Sequence, residues 1–292
     1  PMERVGLIGA AVRRKEDPRL LTGQGKYVAD FRLPELLHAA VLRSPHAHAY
    51  LRKIDASAAL ALPGVAAVIT ARDLGPVGRI PVRLGPRPAL VACLQSPLAT
   101  DKVRYVGEPI AIVIAASRYL AEDALDLIAV EYEPLPAVTD AGRALEPGAP
   151  VLHEAIAGNL VDRMEMRTGD VAAALARSDR RISARLAVQR HTGVPMETRG
   201  LVASYDAGSR VLTLWGVAKV PHFNRRVLSE LLDYPEHLIR FVELEVLLDV
   251  RNAAEEAALR QRMERERCDD AGPRRQSEQR HSGVRLRLCG HE

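Results

Sequence analysis

The sequence predicts a protein of mixed α/β and α+β class, with an α/β domain over about residues 20–138 and a strand-rich region after it. Three observations predict this organisation. Apolar runs alternate with amphipathic segments up to residue 138, as in strand–helix–strand units. A stretch rich in proline and glycine, residues 133–150, reads as a connection between two domains. Beyond it, strand-like segments flank turn-forming residues, which is typical of hairpins.

The first strand–helix–strand unit begins with strands at Leu37–Arg43 and His46–Ile54. Asp55 is then expected to cap a helix rich in alanine and leucine, which Pro63-Gly64 ends, and the next strand runs over 65–70. A loop with five prolines follows, from about residue 75 to residue 100.

The second unit has the same order. Residues 109–116 are continuously apolar, Ser117 can cap a helix, and a strand returns at 128–132. Four apolar side chains of the helix share one face: Leu120, Ala124, Leu127 and Ile128. Because a strand that is apolar on both faces is typical of a covered parallel sheet, each unit is predicted to make a right-handed parallel crossover.

The second region opens with a short helix after Asp170. The elements expected after it are, in order, a strand over 182–189, a hairpin of strands 201–205 and 211–215, a helix from Pro221 that Tyr234-Pro235 ends, and a strand within 237–246. Beyond residue 251 large apolar residues are too sparse to bury a face. We therefore expect an extension over 1–19, a domain over 20–138, a linker over 139–158, a second domain over 159–246 and a disordered tail over 247–292.

Composition excludes several classes of protein. With 47% hydrophobic and 27% charged residues the chain is expected to be globular. The net charge is only +4 and no basic stripe occurs, which argues against nucleic acid as a partner. Three cysteines without metal or redox spacing indicate a reducing, cytoplasmic compartment, and no apolar run is long enough to span a membrane.

Three sequence motifs resemble phosphate-binding or metal-binding sites, but each lacks residues that such a site requires. The glycines of TGQGKY, residues 22–27, lack the remaining residues of a phosphate loop, so a turn is expected there. His46 and His48 share one face of a strand but have no third ligand nearby, and we interpret them as packing or surface residues. The HEAIA sequence that starts at His153 has Ala157 where a zinc peptidase has its second histidine.

Two charged residues remain as candidates for a binding site. Glu197 lies in a dense polar cluster, residues 189–200, where a carboxylate can act as an acid or base or simply keep a loop soluble. Lys219 directly precedes a predicted helix N-terminus. A cation is unfavourable there unless an anion lies between it and the helix dipole, so Lys219 is a candidate for anion binding.

Four segments, taken together and in order, carry a resemblance that extends over about residues 5–246: 16–74, 97–138, RHTGVPMETRG (190–200) and VPHFNRRVL (220–228). They resemble the large, molybdopterin-binding subunit of the xanthine dehydrogenase, aldehyde oxidase and carbon monoxide dehydrogenase family. The resemblance implies an α/β hammerhead domain followed by an incomplete molybdenum-cofactor-binding domain. It places Lys219 and Glu197 among the cofactor-binding residues.

The resemblance also implies chemistry and partners. In this family a molybdenum ion on a pterin dithiolene supplies oxygen-insertion chemistry, and electrons leave through a [2Fe-2S] subunit and a flavin (FAD) subunit. Lys219 stands where many members have a cofactor-contacting glutamine. The family's Gly-Gly-Gly-Phe-Gly loop is due after RFVELEV, but this sequence continues LLDVRNAAEE. We therefore expect a truncated or frameshifted oxidoreductase subunit that does not retain the cofactor alone; the alternative is a non-catalytic module that docks other subunits.

Overall fold

The computed structural model describes residues 15–82, 88–166, 168–184, 186, 188, 199–244 and 285–289. Its helices are α1 (Asp17–Leu21), α2 (Ser57–Leu60), α3 (Arg118–Leu125), α4 (Val171–Ala176) and α5 (Pro221–Leu232). Its strands are β1 (Leu36–Arg43), β2 (Ala49–Asp55), β3 (Val65–Thr70), β4 (Lys102–Val103), β5 (Pro109–Ala115), β6 (Ala129–Pro134), β7 (Gly200–Asp206), β8 (Val211–Gly216), β9 (Ile239–Glu243) and β10 (Arg285–Cys289). No helix in these ranges has the length and apolar character needed to cross a bilayer.

The strands form two sheets. Seven of them lie in the order β3-β5-β1-β10-β7-β8-β9, and three form a smaller sheet in the order β4-β2-β6. Only β1–β10 and β8–β9 pair in parallel; the other pairs described are antiparallel. Because β10 lies between β1 and β7, it joins the strands of the first region to those of the second.

The predicted parallel crossovers are wrong. Strands β2 and β3 flank α2 but lie in different sheets, and β5 and β6, which flank α3, do so too. The apolar strand β5 is antiparallel to both of its neighbours. It is apolar on both faces because Val113 and Ala115 pack in the cluster under α3, whereas Ile110 packs with Ala49 and Val103 of the smaller sheet. Burial of both faces, which the sequence does show, does not require parallel pairing.

Helix α3 forms where the sequence predicts it. The Ser117 side chain caps it by accepting the Leu120 N–H at 3.2 Å, and Ala121 and Ala124 are buried beneath it. Arg118 and Glu122, one turn apart, form an exposed ion pair at 2.7 Å. Helix α3 therefore packs a small-residue face against β1 and β5, which fixes the position of the first sheet.

The second region is confirmed in part. The hairpin of β7 and β8 and the helix that begins at Pro221 occur as expected. The strand predicted over 182–189 is wrong for the residues described there, since 182–184, 186 and 188 belong to no strand and Ile182 is 94% exposed. The alternating pattern is present, but no strand in the described ranges supplies hydrogen bonds to this segment.

The expectation of a disordered tail concerns mostly residues outside the described ranges. Residues 285–289 differ from it, because they form β10 and pair with two strands. Leucine and arginine alternate there in the sequence, and this period of two suits a strand. The tail therefore contributes backbone hydrogen bonds to the larger sheet.

Candidate functional site

The start of β7 and the ends of β8 and β9 lie together at one edge of the larger sheet. In the antiparallel pair, Leu201 at the start of β7 lies opposite Gly216 at the end of β8. In the parallel pair, Gly216 lies beside Glu243 at the end of β9. The segment entering β7 and the segments leaving β8 and β9 are therefore neighbours. Ligands of α/β sheets bind at the carboxyl ends of parallel strands, which makes this edge a candidate site.

The backbone at this edge is closely packed. A Cβ atom on Gly216 would lie 2.8 Å from the Gly200 carbonyl oxygen and 3.0 Å from Leu201 Cδ1. Only glycine fits so close to a neighbouring backbone without a shift. The Gly216 carbonyl also accepts the Leu244 N–H at 3.2 Å, which carries the β9 pairing to the last residue described there.

Lys219 lies at this edge, in the loop between β8 and α5, and is exposed. Val220 is the N-cap of α5 and gives no side-chain cap, and Pro221 has no N–H to offer. The N-terminus of α5 therefore has no cap from the Val220 side chain, and it is the positive end of the helix dipole. An exposed ammonium group beside such a helix end can hold an anionic group, as the sequence predicts for Lys219.

Glu197, the second predicted residue, lies outside the described residues. The chain is described again from Arg199, and β7 begins at Gly200. The structure thus fixes the start of β7 next to the end of β8. It leaves the role of Glu197 a prediction.

The two histidines of the SPHAHAY segment have packing roles, in keeping with the interpretation from sequence. The His48 ring is buried and its Nδ1 atom lies 2.8 Å from the Pro136 carbonyl oxygen. The His46 ring lies against Tyr132, with ring centroids 4.6 Å apart. Within the described ranges no group of three metal-binding side chains occurs.

Sequence reasoning missed a polar cavity of about 330 Å³ beside β4. Its wall includes Lys102, Arg104, Glu108 and His153, so it joins the first domain to the linker. The Lys102 side chain is 2% exposed, and its ammonium group forms an ion pair with the Glu154 carboxylate. A charged residue next to an apolar strand gives no sequence signal of burial, because most such residues lie in solvent.

Hydrogen bonds fix the charged groups of this cavity. The Arg104 Nε atom donates to the Leu152 carbonyl at 3.0 Å, which ties the linker to the strand. The Glu108 carboxylate accepts the Arg104 backbone N–H at 2.5 Å, yet burial raises the pKa of Glu108 overall. Burial, followed by the charge of Arg104, lowers the pKa of His153. Hydrogen bonds and an ion pair therefore hold the charged groups of the cavity in place.

Two family models match the chain. The first describes the α/β hammerhead domain of aldehyde oxidase and xanthine dehydrogenase and matches residues 22–136. The second describes a molybdopterin cofactor-binding domain and matches residues 152–246. The second range begins at residue 152, inside the linker expected over 139–158, and it contains β7, β8, α5 and β9.

The curated relatives include large chains and large subunits of a dehydrogenase and a hydroxylase. The chain is 38% identical over 253 residues to the carbon monoxide dehydrogenase large chain of Afipia carboxidovorans, a match that covers 82% of this chain and 31% of that protein. It is 39% identical over 230 residues to the nicotine 6-hydroxylase large subunit of Paenarthrobacter nicotinovorans, covering 79% of this chain and 28% of that protein. The chain thus spans less than a third of the length of these two relatives.

Solved structures agree with the sequence matches. Quinoline 2-oxidoreductase from Pseudomonas putida 86 is similar over 97% of this chain and 34% of that chain, with a TM-score of 0.73 and 34% identity. A Cu,Mo-containing CO dehydrogenase is similar over 97% of this chain and 35% of that chain, with a TM-score of 0.74 and 31% identity. The fold, the matched domains and the relatives agree. The chain belongs to the molybdenum-binding subunits of the xanthine dehydrogenase and aldehyde oxidase family, and it comprises their hammerhead domain and the start of their cofactor-binding domain.

Proposed function

We propose that the chain supplies the hammerhead domain and the first wall of the cofactor site in the large subunit of a molybdenum hydroxylase-type oxidoreductase. The observation that supports this most is the sheet edge at Gly216, where the start of β7 lies beside the ends of β8 and β9 and close to the loop that carries Lys219. The edge lies within the range that matches a molybdopterin cofactor-binding domain. We assign the activity to a subunit of the relatives' length, and we expect this chain alone to be inactive.

The residues of this edge fit an anionic cofactor. When bound, a molybdenum–pterin group supplies oxygen-insertion chemistry at a carbon substrate. Lys219 would meet its anionic part beside the positive N-terminal end of α5. Gly216 lets the start of β7 pack closely against the end of β8, which would fix the backbone wall beside the cofactor. Glu197, placed before β7 in the sequence, would accept a hydrogen bond or hold a proton at its carboxylate.

Substrate and partners belong to the proposal as well. The relatives are named for carbon monoxide and nicotine, and a similar structure is a quinoline oxidoreductase. A small carbon substrate, hydroxylated oxidatively, or carbon monoxide is therefore the substrate class we propose. The electrons released would pass to a [2Fe-2S] subunit and an FAD subunit in the cytoplasm. Several relatives are named as large chains or subunits, which supports an assembly of this kind.

The proposal is tested by a chimaera with a solved relative. Residues 15–244 of this chain would replace the matching part of a carbon monoxide dehydrogenase large chain, expressed in a host that makes the cofactor. We expect the folded chimaera to carry molybdenum and to oxidise carbon monoxide, and the 292-residue chain alone to carry no stoichiometric metal. A chimaera that is folded by circular dichroism but free of molybdenum would contradict the proposal, as would stoichiometric metal with turnover in the chain alone.

A further inference from the structure

The cavity beside β4 has the size of a small-ligand site. Its volume of about 330 Å³ lies at the lower end of the range of small-molecule pockets, which begins at roughly 300 Å³. The walls come from the loop before β4, the turn between β4 and β5, and the linker. Three separate segments therefore contribute side chains to one cavity.

The cavity is rich in cationic side chains. Arg79, Lys102 and Arg104 all line it. Arg79 is exposed, and one of its guanidinium N–H groups donates a hydrogen bond to the Leu94 carbonyl, with 2.9 Å between Nη1 and the oxygen. The remaining N–H groups of Arg79 have no partner among the contacts described. They are suited to bind a planar or tetrahedral oxyanion.

His153 lines the cavity together with the three cations. Burial lowers its pKa most, followed by Arg104, and Lys102 and Arg79 act in the same direction. Its imidazole is therefore neutral at pH 7 and can donate one N–H. A ring in this position reports directly on any negative charge that enters the cavity, because an anion favours the protonated imidazole.

Glu154 occupies the place that an external anion would take. Its carboxylate is paired with the buried Lys102 ammonium group and lies 3.9 Å from the Arg104 guanidinium. The Glu154 side chain is 66% exposed, so it can turn into solvent without loss of packing. Lys102 cannot leave, since its side chain is 2% exposed, and it needs a counterion in either state.

The two acidic residues of the cavity already have partners in the protein. Glu108 accepts the Arg104 backbone N–H, and Asp101 accepts the Thr100 hydroxyl at 2.9 Å. Among the described contacts, neither carboxylate forms an ion pair with Arg79 or His153, so the guanidinium group of Arg79 is open to an external anion. Tyr105 and Gln95, which bond each other at 2.6 Å, add neutral polar groups to the remaining wall.

We propose that this cavity binds a small organic anion, a carboxylate or a phosphate ester, whose charged group replaces the Glu154 carboxylate on Lys102 and bonds Arg79. The neutral part of the ligand lies toward Tyr105 and Gln95. Neither family model nor any relative's name assigns a ligand to the hammerhead domain, in which most of these residues lie. The site goes beyond the proposed function and does not depend on it.

The test is a titration of the full chain followed by NMR of the His153 ring protons, identified by a His153→Gln variant. Inorganic phosphate and acetate are added separately at constant ionic strength, which distinguishes the two chemistries. We expect a saturable shift and a higher His153 pKa with at least one of them. Arg79→Gln should weaken binding about tenfold, the loss of one charge-assisted hydrogen bond. Glu154→Gln should tighten it, because the internal competitor is gone.

Arg240→Gln is the matched control, since Arg240 is an exposed residue of β9 that carries the same charge change. It should bind like the unaltered chain. Arg79 and Glu154 are both exposed, so their variants are expected to fold, and a thermal melt checks this. The inference is overturned if neither anion gives a saturable shift, if Arg79→Gln and Arg240→Gln bind alike, or if Glu154→Gln weakens binding.

Discussion

The buried ammonium group of Lys102 and the exposed carboxylate of Glu154 form an ion pair that joins β4 to the linker. The two partners are unequal, because Lys102 is 2% exposed and Glu154 is 66% exposed. Removal of Glu154 leaves a buried charge without its carboxylate, whereas removal of Lys102 leaves a carboxylate in water. The energetic cost of losing the pair should therefore depend on which partner is replaced.

Glu154→Ala is expected to lower the free energy of unfolding by about 2 kcal/mol, a value reduced from that of fully buried pairs because water reaches Glu154. Lys102→Met, which keeps the length and apolar stem of the side chain, should change it by less than about 1 kcal/mol. Urea denaturation of both variants measures the difference. Equal losses in the two variants would show that burial of Lys102 does not control the energetics.

The buried carboxyl group of Glu108 predicts a dependence of stability on pH. Burial raises the pKa of Glu108 in the folded state above the ordinary value of 4.5. At a pH between 4.5 and the folded-state pKa, the folded state therefore binds more protons than the unfolded state. The contribution of this group to stability is present below pH 4.5 and is lost as the pH rises through the folded-state pKa.

Glu108→Gln should remove that part of the pH dependence and still accept the Arg104 N–H. The measurement is the urea midpoint at several pH values for both proteins. Glu131→Gln, an exposed residue of β6, provides the control for loss of one carboxylate. A Glu108→Gln profile that runs parallel to that of the unaltered chain would exclude Glu108 as the titrating group.

Gly64 has a positive φ, a backbone conformation that residues with a Cβ atom adopt only with strain. Its φ is +90°, and a Cβ atom there would lie 2.8 Å from Leu120 Cδ2 of α3. Gly64→Ala should lower the free energy of unfolding by about 2 kcal/mol through backbone strain and displacement of Leu120. Gly75→Ala is a matched control, since Gly75 has φ +65° and nothing within 4 Å. Thermal melts that show the same loss at both positions would mean that contact with Leu120 adds nothing.

Strand β10 predicts a structural role for the end of the chain. Leu286 pairs with Leu37 on one side and Ala203 on the other. Leu286→Pro removes a backbone donor from this central strand and should cost about 3 kcal/mol, whereas Leu286→Val keeps the backbone and should have little effect. Hydrogen exchange of β1 and β7 measures the outcome. Unchanged protection in the proline variant would remove β10 from the sheet.

Much of the local structure can be predicted from the sequence. Ser117 and Pro221 mark helix starts that the structure confirms, because capping and a fixed φ act within a few residues. The β7–β8 hairpin follows in the same way from its turn. The family resemblance, built on four segments, is confirmed by two domain matches.

Long-range structure could not be read in the same way. The apolar run of β5 shows that both faces are buried, but not that α3 covers one face and the smaller sheet the other. The same limit hid the cavity, since Lys102 and Glu154 lie far apart in the sequence and are brought together by the linker. The role of Lys219 stays a prediction, and it could be made from the sequence because its signal, a cation before a helix, is local.

The molybdenum content of the chimaera with Lys219 altered tests the central claim most directly. Lys219→Gln, which introduces the residue that the resemblance leads us to expect there, should retain the metal because the amide can still donate a hydrogen bond to an anionic group. Lys219→Glu should lose most of it, because a carboxylate beside the helix end repels the cofactor. Equal molybdenum per folded chain in both variants would contradict the assignment of this edge to the cofactor.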